Sequence, residues 1–390
     1  MPFRAWLSSL ALLLSVSVQA PAQNAPTAPP AAPPAREARD AFTETPTLKL
    51  FERRSELVSA FWGRDMAIRA GVVLPPDLAA DEHLPVVYSI HGFGGSHTSA
   101  VRREPELVAG MRAGTTPRML YVFLDARCSL GHHEFADSVN CGPWSTALVT
   151  EFVPALEAEF HAFAQPAGRF VTGHSSGGWS SLWLMVSHPD VFGGTWSTAP
   201  DPVDFRDFTG IDIYAFANAY TSPDGQAIQL MRRSGIWVRT IQQFVDAELE
   251  RRAYGGQFMS FNAVFSPRAD DGRPRNLFDP ATGVIDRAVA NAWRKYDIVD
   301  LLRRDWATLG PKLAGKLHVY CGTLDTFRLE GACRLLRDAL RELGSDGEVV
   351  FAEGRNHMDL YQPEATLWPE GLSPRIHREM HAAFERQRAR

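Results

Sequence analysis

The chain has 390 residues, 45% of them apolar, with a formal net charge of -5. That is enough chain to bury a large core, and long for a single domain unless the core is a broad sheet flanked by helices. The mild acidity gives no electrostatic reason to bind nucleic acid or an anionic membrane, so neither is expected as a partner.

Residues 1–22 read as a secretory signal: Arg4 precedes an almost wholly apolar or small run from Trp6 to Val18, and Ala20-Pro21-Ala22 offers a cleavage site. The run is short for a membrane span and no later segment is long and apolar enough, so membrane insertion is not expected. The mature protein is expected to be exported, to a periplasm or outside the cell. Residues 23–40 are rich in Ala and Pro and read as a solvated linker, leaving 41–390 as the folded domain. Four cysteines follow: Cys128, Cys141, Cys321 and Cys333. In an exported protein they are expected to form two disulfides, and sequence proximity favours Cys128 with Cys141 and Cys321 with Cys333. No C-x-x-C spacing points to structural zinc.

Strands are predicted over Asp65–Leu74 and Leu84–Ile90, the second running directly into His91-Gly92-Phe93-Gly94-Gly95. A third, Met119–Leu124, leads to a segment from Arg127 to Trp144 that concentrates His132, His133, Asp137, Asn140 and Trp144. Long ordered loops at strand ends commonly hold substrate, so Gly92, His133, Asn140 and Trp144 are expected to contact it. Adjacent histidines diverge in most backbones, which argues against a metal held by His132, His133, Glu134 and Asp137. A helical period over Thr146–Phe160 places Leu148, Phe152, Leu156 and Phe160 on one face.

Next come a short strand at Arg169–Thr172, a glycine-tight turn and an amphipathic helix. Apolar stretches at Gly194–Ala199, Leu317–Tyr320 and Val349–Ala352 and a terminal helix Ser373–Arg390 complete the pattern. Short apolar strands alternating with helices predict an α/β fold with a mostly parallel central sheet covered on both faces. The segment from about 200 to 306 breaks that rhythm. It is dense in Phe, Tyr and Trp, contains a helix-like run at Gly235–Tyr254, and is expected to form an inserted cap.

The tight turn is Gly173-His174-Ser175-Ser176-Gly177, a G-x-S-x-G between strand and helix. Such a turn strains the apex residue and lifts its side chain above the sheet, which marks Ser175 as a nucleophile. A serine hydroxyl needs a base, usually an imidazole oriented by a carboxylate. In this type of sheet the partners follow in the order acid, then histidine. Asp325 leaves the strand that ends at Gly322, and His357 leaves the last one. Other later histidines lie on helices or inside a strand, and Glu353 is a secondary candidate for the acid. The Ser176 amide and a donor in the early glycine loop, Phe93 with Gly92 as competitor, are expected to form the oxyanion hole.

These residues resemble the esterase D-like branch of the α/β-hydrolases, which takes in S-formylglutathione hydrolases, enterochelin and feruloyl esterases, and mycolyltransferases. The resemblance rests on HGFGG, on Asn140-Cys-Gly-Pro-Trp144, on GHSSGG, on Gly322-Thr-Leu-Asp325 and on Asn356-His357, and it runs from about Leu48 to the C-terminus. It implies carboxyl-ester hydrolysis through an acyl-enzyme, without cofactor or metal, with Ser175, His357 and Asp325 as the triad. Address and aromatic cap point to a small-molecule or glycan ester. An acyltransferase would use the same triad, a serine peptidase the same core, and a silent carbohydrate-binding relative the same fold.

Overall fold

The computed structural model describes residues 42–251 and 256–389; the signal and the whole linker lie outside the described residues. Among the described residues eight strands form the central sheet: β1 (Leu48–Arg54), β2 (Ala67–Val73), β3 (Val86–Ile90), β4 (Leu120–Leu124), β5 (Arg169–His174), β6 (Gly194–Thr198), β7 (Leu317–Gly322) and β8 (Glu348–Ala352). Their order is β1-β2-β4-β3-β5-β6-β7-β8. From β4 to β8 neighbouring strands are parallel, while β2 pairs antiparallel with both β1 and β4. The inner strands read as near-continuous apolar runs because both faces are covered: β3 and β4 bury Val86, Val87, Ile90, Leu120, Val122 and Leu124. The edge strand β1, Leu48-Lys-Leu-Phe-Glu-Arg-Arg54, carries the charges that such an edge needs.

Helix α1 (Ser176–Ser187) follows β5 and is buried along nearly its whole length, including Trp179, Trp183 and Met185. A glycine at each turn position is dictated by contact. A Cβ on Gly173 would lie 2.2 Å from the Gly177 carbonyl oxygen, and one on Gly177 would lie 2.0 Å from that of Ile90. The helix therefore starts pressed against β3. At 144–159 the structure is helical, with a π turn over Leu148–Phe152. Pro154 follows and has no amide hydrogen to offer the preceding turn, a common cause of such irregularity.

Between β6 and β7 the chain makes a long excursion whose neck is narrower than the expected 200–306. The Val299 amide donates to Val203 O, and the Asp297 carboxylate accepts the Phe205 amide and the Tyr214 hydroxyl. From Ile298 onward helix α2 (Ile298–Leu313) packs against α1 as part of the sheet's covering layer. The expected helix at Gly235–Tyr254 is corrected. Residues Gln229–Arg233 and Ile236–Thr240 form a hairpin, and the helix begins only at Ile241. Ser234 and Gly235 both have positive φ, 49° and 79°, as a two-residue hairpin turn requires, and Ile236-Trp-Val is β-branched and aromatic.

The aromatic density of the excursion is mostly core. Phe205, Phe208, Phe261, Phe265 and Trp293 pack edge to face, tilted or stacked on one another, and Phe265 reaches Trp179 of α1. The expected disulfides are not formed: all four cysteines are thiols. Cys141 nevertheless neighbours Cys128 and Cys321 neighbours Cys333, as sequence proximity suggested, while the Cys141 thiol donates to Ala263 O at 3.4 Å and the Cys321 thiol to Gly322 O at 3.6 Å.

Candidate active site

Ser175 sits where β5 turns into α1, with φ 61° and ψ -124°. That conformation is strained for a residue with a side chain, and small neighbours plus packing against β3 hold it in place. Gly92 presses on it from the adjoining loop: a Cβ there would come 3.0 Å from His174 O and 3.2 Å from Ser175 Cβ. The first loop of the parallel sheet is thereby brought against the serine.

Two amides point to a common use. Among the described residues neither the Phe93 nor the Ser176 backbone N–H donates a hydrogen bond. The loop that carries Phe93 is held rigidly by His91, whose Nδ1 donates to Gly92 O at 2.8 Å while Nε2 accepts the Ala126 amide at 2.9 Å. Burial holds this imidazole below its usual range, consistent with a neutral ring. His132 adds a second strut, Nε2 to His91 O at 3.1 Å, while its Nδ1 accepts the Glu134 amide.

Asp325 and His357 meet as the sequence suggested. His357 Nδ1 lies 2.7 Å from Asp325 Oδ2, and both side chains are buried. The meeting depends on Gly322, where a Cβ would lie 2.2 Å from Arg355 O, so β7 leaves the sheet directly beneath the histidine loop. Asp325 Oδ1 accepts the Phe327 amide at 2.8 Å, which fixes the carboxylate plane. Burial alone would raise the Asp325 carboxyl, but the charge and hydrogen bond of His357 outweigh it and leave it below the usual carboxylate range. Burial pushes His357 down, yet Asp325 and, more weakly, Asp201 leave it above 6.5. The ring is flanked by His174, 4.3 Å away between centroids, and by Phe327 at 5.0 Å. Burial, then repulsion from His357, holds His174 near 3, so it packs as a neutral ring. Glu353 is exposed and takes no part.

Three of the expected substrate contacts are engaged elsewhere. His133 is fully buried and stacks on Trp144 at 4.0 Å and an interplanar angle of 1°. Trp144 Nε1 donates to Cys141 O, and Asn140 Nδ2 donates to Ser266 O, tying the 137–143 turn to the excursion. The loop is itself buried, and its Asn140 and Trp144 N–H groups find protein acceptors there, whereas His133 accepts the Phe135 amide at Nδ1 and leaves Nε2 without a partner among the described residues. Only Gly92 of the expected set lies against the serine. Among the described residues no group of three His, Cys, Asp or Glu is placed to hold a metal, and no helix is long and apolar enough to cross a membrane.

A residue not among the expected site residues hydrogen-bonds the nucleophile. Asp201, three residues beyond β6, is buried, and its Oδ1 accepts from Ser175 Oγ at 3.3 Å while Oδ2 accepts from Ser176 Oγ at 2.6 Å. Gln257 of the excursion reaches the same Oδ2 at 3.4 Å. Burial and the neighbouring Glu134 push the Asp201 carboxyl up to about 7, and burial pushes Glu134 up to about 8. Glu134 Oε2 accepts from Ser180 Oγ at 2.8 Å. The signal was present: Asp201 leaves a parallel strand at its carboxyl end, as Asp325 does.

The strand order 1-2-4-3-5-6-7-8 with a strained serine after the fifth strand defines an α/β-hydrolase. The family model described as "Putative esterase" matches residues 59–302, and the chain belongs to that family, a family of carboxylic ester hydrolases. No curated protein matches the sequence. Among solved structures, an S-formylglutathione hydrolase from Agrobacterium tumefaciens is 17% identical, with TM-score 0.46, covering 87% of this chain and 95% of that one. A fluorophosphonate-binding serine hydrolase of Staphylococcus aureus is 12% identical, with TM-score 0.48 and coverages of 86% and 98%. A ferulic acid esterase from Anaeromyces mucronatus is 13% identical, with TM-score 0.43 and coverages of 83% and 89%.

Proposed function

We propose that the chain is an exported serine esterase that cleaves its substrate through an acyl-Ser175 intermediate. The observation that carries this reading is the buried 2.7 Å pair of His357 and Asp325, which comes from two strand ends at the same sheet edge as the strained serine. Asp325 holds the proton on Nδ1, leaving Nε2 as the base. Nε2 takes the Ser175 proton as Oγ attacks the ester carbonyl carbon, and the oxyanion is received by the Phe93 and Ser176 amides. Collapse breaks the bond to the alcohol oxygen, which leaves with the proton from Nε2. Water then repeats the sequence on the acyl-enzyme, releasing the carboxylic acid and restoring Ser175.

The 204–297 excursion acts as a cap, supported by Gln257 reaching the residue beside the nucleophile. In an oxidising compartment the neighbouring thiols, Cys128 with Cys141 and Cys321 with Cys333, form disulfides by exchange with an oxidised dithiol there, each pair passing its two protons and two electrons to that disulfide. The test is hydrolysis of a panel of aryl and alkyl esters, with the released acid quantified, by wild type and Ser175→Ala. Wild-type turnover abolished in the variant is the expected result; equal turnover in both would overturn the reading.

A further inference from the structure

Asp201 stands out because its position does not follow from the triad. Its Oδ2 is well supplied, by Ser176 Oγ at 2.6 Å and Gln257 Nε2 at 3.4 Å. Its Oδ1 accepts from Ser175 Oγ at 3.3 Å, and this is its one donor among the described residues. On the reaction path proposed above, the Ser175 hydroxyl must turn its hydrogen to His357. That rotation withdraws the donor from Asp201 Oδ1 at the moment the substrate carbonyl arrives. A buried carboxylate oxygen left without a donor is costly, so whatever occupies the site is favoured if it brings a donor of its own.

The geometry points to Asp201 as a specificity-determining residue that selects esters whose acyl group carries a hydrogen-bond donor, hydroxyl or amine, on the carbon next to the carbonyl or one further. This rests on the esterase reading of Ser175. The distance fits the class: an oxygen 3.3 Å from the nucleophilic Oγ faces the first atoms of the acyl chain rather than its far end. The surroundings fit it too. Glu134, His132, Ser176, Gln257 and His357 are the polar and titratable groups that face Asp201. With Ser175 and Asp201 itself these make seven groups, of which two are carboxyls and none is Lys or Arg. Burial and Glu134 raise the Asp201 carboxyl because its charge is poorly compensated, and a substrate donor at Oδ1 supplies part of that compensation. A site built around such an acceptor rejects an isostere lacking the donor more strongly than an apolar pocket distinguishes one methyl group.

The isosteric aryl esters of 2-hydroxypropionate, alanine and isobutyrate differ only in presenting hydroxyl, amine or methyl at one position. Their kcat/KM values, each divided by the ester's alkaline hydrolysis rate, are to be measured at pH 7.5 for wild type, Asp201→Leu and Asp201→Asn. The expected wild-type preference for a donor-bearing ester over isobutyrate is about tenfold or more, falling to near unity in Asp201→Leu. Retention of the hydroxyl preference with loss of the amine preference in Asp201→Asn assigns the amine arm to charge. Because Asp201→Leu also strips Ser176 of its acceptor, Asp201→Asn serves as the variant that keeps the fold. No preference in a wild type that hydrolyses isobutyrate overturns the inference, as does a preference unchanged in both variants. Absence of any Ser175-dependent turnover would instead overturn the esterase reading beneath it.

Discussion

Replacing Asp325 by asparagine tests the link between the sheet and the chemistry. The side chain is isosteric and fully buried, and its Oδ1 position accepts the Phe327 amide at 2.8 Å and the Leu329 amide at 3.4 Å. Only the amide oxygen of Asn can satisfy those two donors, so its NH2 must face His357 Nδ1, where Asp325 now accepts at 2.7 Å. The imidazole then has to offer a lone pair at Nδ1 and carry its proton on Nε2, where it cannot take the proton of Ser175. Loss of the base in this way costs about 10³–10⁴ in kcat. At about 1.4 kcal/mol per tenfold, that is roughly 4–5.5 kcal/mol of transition-state stabilisation. KM should move little, because the residue is behind the histidine and touches no substrate. Steady-state hydrolysis of an aryl ester by purified wild type and Asp325→Asn, with thermal unfolding to show the fold intact, measures the effect. A loss smaller than about tenfold in a folded variant would refute the reasoning.

Other outcomes are expected from the same geometry. Since Asp325 and Asp201 leave His357 above 6.5, kcat/KM should fall with decreasing pH through a midpoint above 6.5, as the base becomes protonated. In Asp201→Asn that midpoint should move down, and an unmoved midpoint would deny the coupling. Gly177→Ala drives a methyl to within 2.0 Å of Ile90 O, so the variant should be destabilised by about 3 kcal/mol or fail to fold, which chemical denaturation reads. Trp144→Ala should cost stability, about 3–5 kcal/mol, with KM for a small ester nearly unchanged. A large KM rise with unaltered stability would restore Trp144 to the substrate site. In protein purified from an oxidising compartment, thiol titration after denaturation should find no free cysteine, and reduction should lower Tm. Each closed loop of about a dozen residues contributes roughly 3 kcal/mol. Four titratable thiols would contradict the proposed bridges.

The parts of the molecule set by backbone geometry were readable from sequence. Gly173, Gly177 and Gly322 mark places where a carbonyl lies under 2.3 Å from a would-be Cβ, and each announced a residue with work to do at a strand end. Strand position likewise located Asp325 and His357, because side chains that leave parallel strands at their carboxyl ends share one edge. What composition could not reveal was which polar residues of a loop turn inward. His133, Asn140 and Trp144 look like substrate contacts in a list of residue types, yet the loop carrying them is buried, stacks the two rings on each other and gives the Asn140 and Trp144 donors protein acceptors. Aromatic density between 204 and 297 was ambiguous for the same reason, since a Phe in a core and a Phe in a cleft are identical in sequence. The helix expected at Gly235 failed on a local detail, the Ser234-Gly235 turn. Asp201 obeys the same strand-end rule, but an Asp at a strand end is more often a turn former, so residue type alone does not single it out.

The most direct test of the central claim is covalent labelling of the mature protein with a fluorophosphonate, followed by intact-mass measurement and peptide mapping, on wild type, Ser175→Ala and His357→Gln. The account predicts one adduct on Ser175 in wild type, none in Ser175→Ala, and labelling slowed by several orders of magnitude in His357→Gln. Folded wild type that takes up no label, or a label on another residue, would contradict it.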